Sequence, residues 1–270
     1  MSGWTFKLKQ APLLRIDLRG VLPKALATMS AAEVERLPLG HGNVLAPLAE
    51  FFHVDPRDGD DMLVFDADLS RFDHVGRQMD GGTLIIDGHV GDHAGAGLRG
   101  GELQVRGSAG DLTGCEMAGG TIVVHGDVGD FAAGALPGSM EGMRGGTFVV
   151  RGRAGARLGD RMRRGSVVVF GDAGDFMASR MVAGTLALGG RCGAHPGYGM
   201  RRGSVVFAGP APQAPPTFVP ARGEAVVFWQ LLARDLSRHG GVFQTLPSRT
   251  AQRWLGDLSA DGKGELIAVR

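Results

Sequence analysis

Five arginines carry the pattern with the sharpest chemical meaning. Arg144, Arg163 and Arg201 each follow a methionine, and Arg164 and Arg202 stand where other copies of the same pattern have the first glycine of a pair. Equal register in a stacked repeat puts such residues along one seam. Arg144 and Arg163 then sit in adjacent layers about 4.8 Å apart, where like charges repel unless something anionic lies between them. Pairing with Asp, Glu or free carbonyls is the simpler account. The sharper one is an acidic ligand or segment, because guanidinium forks match carboxylates.

Other reactive residue types converge less. His89 and His93 have an i, i+4 spacing, but they flank a glycine corner rather than sharing a helical face, so no metal site is read there. Asp92, Asp111, Asp130 and Asp175 form a column broken by Ala156 and Ala194. Stacked carboxylates could hold Ca²⁺; the simpler reading is that each Asp satisfies backbone donors at its own turn. Met79, Met117, Met143, Met162, Met181 and Met200 form another column, with Leu98 in one copy. That row reads as flexible core filling rather than a soft-metal site. No glycine loop is followed by Lys-Ser/Thr or opens a helix as G-x-G-x-x-G, so phosphate cradling has little support. No acid, base and nucleophile converge, and no catalytic residue, resident cofactor or metal is assigned.

What positions these residues is an internal repeat. The second glycine of a pair, or its equivalent, falls at Gly82, Gly101, Gly120, Gly146, Gly165, Gly184 and Gly203, at intervals of 19, 19, 26, 19, 19 and 19. A second glycine column, from Gly88 to Gly209, keeps the same intervals. Between the columns lie apolar runs such as Leu84-Ile85-Ile86 and Val167-Val168-Val169, too short for helices and rich in β-branched residues. The expected fold is mainly β: a right-handed parallel β-helix of about seven coils with a 19-residue repeat, an N-terminal α+β cap and a C-terminal helix. Alternation puts Leu84 and Ile86 inside. The outward middle positions Ile85, Val123, Val149, Val168 and Val206 are apolar, interrupted by Gln104 and Ala187. Such a ladder calls for cover by the C-terminal helix or another protein.

The flanks differ in character. Residues 1–60 read as a cap, 61–209 as the repeat domain, and 210–270 as a proline-rich connector, helix and tail. Trp4 to Arg19 alternates like two strands of a hairpin. Ser30-Ala31-Ala32-Glu33 has capping-box spacing and starts a helix that Pro38 stops. Gly40 to Asn43 is a turn before a helix through Leu48 to Phe52, and Met62–Asp66 is a degenerate first repeat. Pro210 to Pro220 make a stiff connector. Glu224 to His239 follows as a helix with Ala225, Phe228, Trp229, Leu232 and Leu236 on one face, ended by Gly240-Gly241.

Composition narrows the class further. The formal net charge is +1, which gives no bias toward nucleic acid or an anionic membrane. Lysine appears only at positions 7, 9, 24 and 263, so the positive charge is nearly all arginine. Cys115 and Cys192 lie too many layers apart for a disulfide. With no signal peptide or long apolar span, a cytoplasmic location is expected.

The repeats also carry G-x-x-G-x-x-x-G spacing, as in Gly88-Gly91-Gly95, Gly107-Gly110-Gly114, Gly152-Gly155-Gly159 and Gly190-Gly193-Gly197, with Ala133 and Ala178 replacing the third glycine twice. This resembles the repeat domain shared by the glutamate synthase large subunit and the C subunit of formylmethanofuran dehydrogenase. The insertion over Leu136–Met143 and the Met-Arg-Arg-Gly-Ser runs at Met162–Ser166 and Met200–Ser204 resemble this C-subunit family. The arginine-rich composition is similar to its bacterial branch, the C subunit of the formyltransferase/hydrolase complex. The likeness covers about residues 40–209. It implies a non-catalytic scaffold in a four-subunit assembly of tetrahydromethanopterin-linked formaldehyde oxidation to formate. The partners implied are an amidohydrolase-like subunit, a formyltransferase subunit and one further subunit, which carry the catalysis with a methanofuran-type carrier. Such carriers bear glutamate carboxylates, the chemistry an arginine seam would take. Two other readings compete. A glutamate-synthase-type domain is disfavoured by a 270-residue chain with its own cap and no amidotransferase cysteine. A stand-alone β-helix enzyme, such as an acyltransferase or lyase, is disfavoured by the 19-residue period and the missing catalytic cluster.

Overall fold

The computed structural model describes residues 2–58, 61–221 and 225–270. The N-terminal region runs β1 (Ser2–Leu8), β2 (Ile16–Asp17), α1 (Pro23–Leu26), α2 (Ala31–Glu35), β3 (Pro38–His41), β4 (Val44–Pro47), α3 (Leu48–Phe51) and β5 (Phe52–Asp58). The middle supplies β6 (Met62–Asp66), β7 (Phe72–Asp73), β8 (Asp80–Ile86), β9 (Gly100–Val105) and β10 (Thr121–Val124). After the insertion come β11 (Arg144–Val150), β12 (Arg164–Val169), β13 (Thr185–Leu188) and β14 (Ser204–Phe207). The C-terminal region adds β15 (Val219–Pro220), α4 (Val226–Ser237), β16 (Ala251–Gly256) and β17 (Gly264–Val269).

Most of the molecule is one 13-stranded, mostly parallel sheet in which successive repeats are hydrogen-bonded neighbours. Leu84 pairs with Leu103, Leu103 with Ile122, and Ile122 with Phe148, so equal positions stack without slip. Those side chains and the Ile86 column are fully buried, as the strand alternation requires. A second set of parallel bridges, Val90 to Ala109 to Val128 to Ala154, ties the same repeats together away from the main strands. Close stacking explains the glycine columns. A Cβ on Gly107 would lie 2.6 Å from the Gly88 carbonyl oxygen, and Gly120 has φ +76° as well as a neighbouring carbonyl at 2.7 Å.

The first repeat and the α2 capping box stand as read from the sequence. Leu63 of β6 pairs in parallel with Leu84, and the Glu33 carboxylate accepts the Ser30 N–H at 2.7 Å at the start of α2. The hairpin expected over Trp4–Arg19 is absent. Instead β1 pairs antiparallel with β5 and parallel with β6, while β2 joins a separate sheet of order β4-β3-β2-β7. The physical reason is the open end of the stack. Phe6 and Phe65 pack with ring centroids 4.9 Å apart and Phe52 joins them, a burial that a local hairpin would forfeit. The segment before Leu48 is likewise a β-hairpin, leaving α3 a single turn.

At the other end, α4 is shorter than expected; Glu224 lies outside the described residues. Trp229, Ala233 and Leu236 form its buried face, whereas Phe228 is 42 % exposed and is no part of it. The helix covers Val168, Ala187 and Val206 of the outward ladder, all fully buried in one cluster with Trp229. Ile85 and Val123, further along the same ladder, stay half-buried. The tail is also more than a tail. β17 pairs in parallel with β14, Val206 opposite Ile267, and extends the sheet by one more rung.

Candidate functional site: an arginine edge

The methionine column lies in the core; Met79, Met117, Met143, Met162, Met181 and Met200 are at most 1 % exposed. The residue after each methionine emerges on the edge, held by a repeated backbone bond. The N–H of Arg144 donates to the Met117 carbonyl at 2.6 Å, that of Arg163 to Met143 at 2.7 Å and that of Arg201 to Met181 at 2.8 Å. Arg144 and Arg164 are direct strand partners. Arg202 follows Arg201 at the same edge, and Arg144, Arg164, Arg201 and Arg202 are all exposed.

Internal pairing accounts for only part of this charge. Glu141, from the insertion, lies 3.3 Å from Arg163 and 3.9 Å from Arg144. Among the described residues no carboxylate lies within ion-pair distance of Arg164, Arg201 or Arg202. The Nε of Arg163 is shielded from solvent, and the orientation of Glu141 gives it no hydrogen bond. Two cations of this edge escaped the sequence reading. Arg99 donates its N–H to the Met79 carbonyl in the same column, and the Lys263 N–H donates to the Arg201 carbonyl. Arg99 was legible in the register, because it follows Leu98 as Arg144 follows Met143. Lys263 was not, because nothing local places the tail beside Arg201.

The remaining candidates do not come together. His89 Nδ1 accepts the Ser108 N–H at 3.0 Å, while His93 stacks on His74 with ring centroids 4.8 Å apart. Among the described residues no three His, Cys, Asp or Glu side chains group as metal ligands. The Asp column bonds differently from the expected own-turn pattern: Asp92 accepts from Asp111, Asp130 from Ala156 and Asp175 from Ala194, each one repeat ahead. Stacking brings the next repeat's free N–H closer than any donor in the same turn. Both cysteines are free, and burial pushes each thiol up to about 12. A cleft of ≈ 510 Å³ opens beneath the insertion, lined by Leu112, Phe131, Leu136 and Met140. The buried Asp160 at its floor accepts from Arg180 Nη2 at 2.8 Å, which commits that carboxylate to an ion pair.

No family model matches the chain. Among curated relatives, the C subunit of the formyltransferase/hydrolase complex Fhc of Methylorubrum extorquens is 43 % identical over 77 residues, 28 % of this chain and 29 % of that protein. The C subunit of the tungsten-containing formylmethanofuran dehydrogenase 2 of Methanothermobacter wolfeii is 31 % identical over 94 residues, 33 % of this chain and 35 % of that one. The chain thus spans about a third of the length of the curated relatives it matches. A solved structure extends the likeness to nearly the whole chain. In the crystal structure of the formyltransferase/hydrolase complex (FhcABCD) from Methylorubrum extorquens with methylofuran, one chain is 40 % identical with a TM-score of 0.92, over 98 % of both chains.

The chain belongs to the C-subunit family of formyltransferase/hydrolase complexes and formylmethanofuran dehydrogenases. The insertion over Leu136–Met143 interrupts the 19-residue interval once. Here it supplies Glu141 to the arginine edge and walls the cleft beside Asp160. Among the described residues no helix is long and apolar enough to cross a membrane.

Proposed function

We propose that this chain is a non-catalytic scaffold subunit of a formyltransferase/hydrolase complex in tetrahydromethanopterin-linked oxidation of formaldehyde to formate. Its repeats wind as a right-handed parallel β-helix of about seven coils, with residues 1–60 and 210–270 as its end pieces. Formyl transfer and hydrolysis belong to an amidohydrolase-like subunit, a formyltransferase subunit and a further partner. The observation that carries this reading is the near full-length likeness to a chain of the FhcABCD complex. Apolar side chains left outside at both ends add support: Leu13 is 88 % exposed and Leu45 73 %, while Val227 is 74 % exposed at the opposite end.

Within that assembly the edge of Arg144, Arg163, Arg164, Arg201 and Arg202 takes the acidic portion of a methanofuran-type carrier. Arg164, Arg201 and Arg202, exposed and without a carboxylate at ion-pair distance among the described residues, favour an external anion over internal pairing alone.

The test is purification of the tagged full chain from its native host, mass spectrometry of what accompanies it, and assay of the chain freed of partners. Formyltransferase and hydrolase subunits in fixed ratio, with turnover only in the assembled complex, are the expected result. Robust turnover by the isolated chain would overturn the scaffold role.

A further inference from the structure

α4 is apolar on two sides. Trp229, Ala233 and Leu236 face the sheet, and the Trp229 indole N–H donates to the Arg249 carbonyl at 2.8 Å, so the helix is seated firmly. The opposite stripe runs Val227, Leu231, Arg234, Arg238, spaced i, i+4, i+7 and i+11 along one line of the helix. Val227 is 74 % and Leu231 62 % exposed, and Val226 and Phe228 flank them at 50 % and 42 %. Arg234 has no carboxylate within ion-pair distance among the described residues, and Arg238 reaches only Asp235 of its own helix at 3.3 Å. The stripe is therefore apolar over its first half and cationic over its second. A furrow of ≈ 430 Å³ runs beside it between α4 and β16, lined in part by Val226 and Trp229.

We infer that the outer face of α4 is a docking surface for an acidic, amphipathic segment of a partner subunit, with apolar residues against Val227 and Leu231 and carboxylates against Arg234 and Arg238. Two arginines at a helix C-terminus also suit the helix dipole. The dipole does not explain why Val227 and Leu231 continue the same line into solvent. A second copy of this chain fits poorly. Laid parallel, it sets Arg234 and Arg238 against their own equivalents; laid antiparallel, it sets them against Val227 and Leu231. Both arrangements leave charge unpaired in a contact that should be dry. An acidic amphipathic segment satisfies both halves at once.

The inference rests on the assembly reading above, and the test keeps the two apart. A photo-reactive phenylalanine analogue at Leu231 in the tagged full chain should cross-link, within the native complex, to a partner subunit at a segment with Asp or Glu near its apolar residues. A cross-link to a second copy, or none while partners still co-purify, overturns the inference. In parallel, Val227→Lys with Leu231→Lys should reduce co-purified partner at least about tenfold, the loss an interface anchor produces. Trp229 emission and protease resistance should stay as in the parent, because both positions are outside the buried face. Undiminished partner in that variant also overturns it. If the parent chain itself brings down no partner, the assembly reading fails, and the inference with it.

Discussion

The Oδ1 of Asp111 accepts the backbone N–H of Asp130, one repeat further on, at 2.8 Å. Asp73 does the same for Asp92 at 2.9 Å and Asp130 for Ala156 at 2.7 Å, so a column of carboxylates staples successive repeats until Ala156 interrupts it. A parallel column runs from Ser108 Oγ to the Asp127 N–H and from Asp127 to the Arg153 N–H. Parallel stacking leaves these turn amides without a strand partner, and a short acidic or hydroxyl side chain from the previous layer fills the vacancy.

Removing one staple should therefore be felt at the next layer. Asp111→Ala strands the Asp130 amide, whose hydrogen exchange should accelerate roughly fivefold, the worth of a typical net hydrogen bond. Asp111→Asn keeps an acceptor oxygen and should restore most of the protection. Equal exchange in all three proteins would show that the staple contributes nothing.

Acid should loosen the molecule through the same groups. The Arg153 N–H, then its guanidinium, holds the Asp127 carboxyl below the ordinary range. For Asp73, burial pushes upward, but the Arg15 guanidinium and the Asp92 N–H together outweigh it, and the net shift is downward. Both native carboxyls take up protons less readily than the unfolded chain. Their contribution is thus complete above the usual aspartate value of about 3.9 and is lost as pH falls through the lower native values. Denaturant midpoints measured from about pH 6 downward should fall steeply below about pH 4. Asp127→Asn should make that decline shallower.

The outward ladder should respond to charge according to its cover. Val168→Lys would bury an unpaired ammonium beneath α4, a destabilisation of about 3–5 kcal/mol, with red-shifted Trp229 emission as the helix lifts. Val123→Lys, on the half-buried part of the same ladder, should fold with little loss. Similar stability in the two variants would mean that α4 does not seal the ladder.

The carrier contact proposed for the arginine edge can be tested in the complex proposed above. Arg163→Gln, Arg164→Gln and Arg202→Gln together should leave assembly intact while lowering the carrier retained per complex, and the loss should grow with salt as screening weakens the remaining arginines. Retention equal to that of the parent at low and high salt would reduce these residues to structural charge.

Much of this architecture was already present in local spacing. Intervals of 19 residues, the inward Leu84 and Ile86 and the buried methionine row follow from a period that any repeat shares with its neighbour, and the pairing of Leu63 with Leu84 follows from the likeness of Met62–Asp66 to Thr83–Asp87. That Arg144, Arg163 and Arg201 share one edge belongs to the same class, although a register shift makes Arg164, not Arg163, the strand partner of Arg144. The two ends were decided by tertiary structure. A stack of parallel strands exposes unpaired backbone groups at its first and last rungs, and whichever segment can reach them while burying apolar surface will cover them. At one end β1 takes that place, abandoning the hairpin its alternation suggests in favour of Phe52 and Phe65. At the other, β17 does so, although Gly264-Glu265-Leu266 repeats the pattern of Gly101-Glu102-Leu103 from far outside the regular interval. The face α4 presents, with Phe228 outside and Ala233 inside, was set by the shape of the ladder beneath it. Helical periodicity names the residues on each stripe, but only the surface they meet decides which stripe is buried.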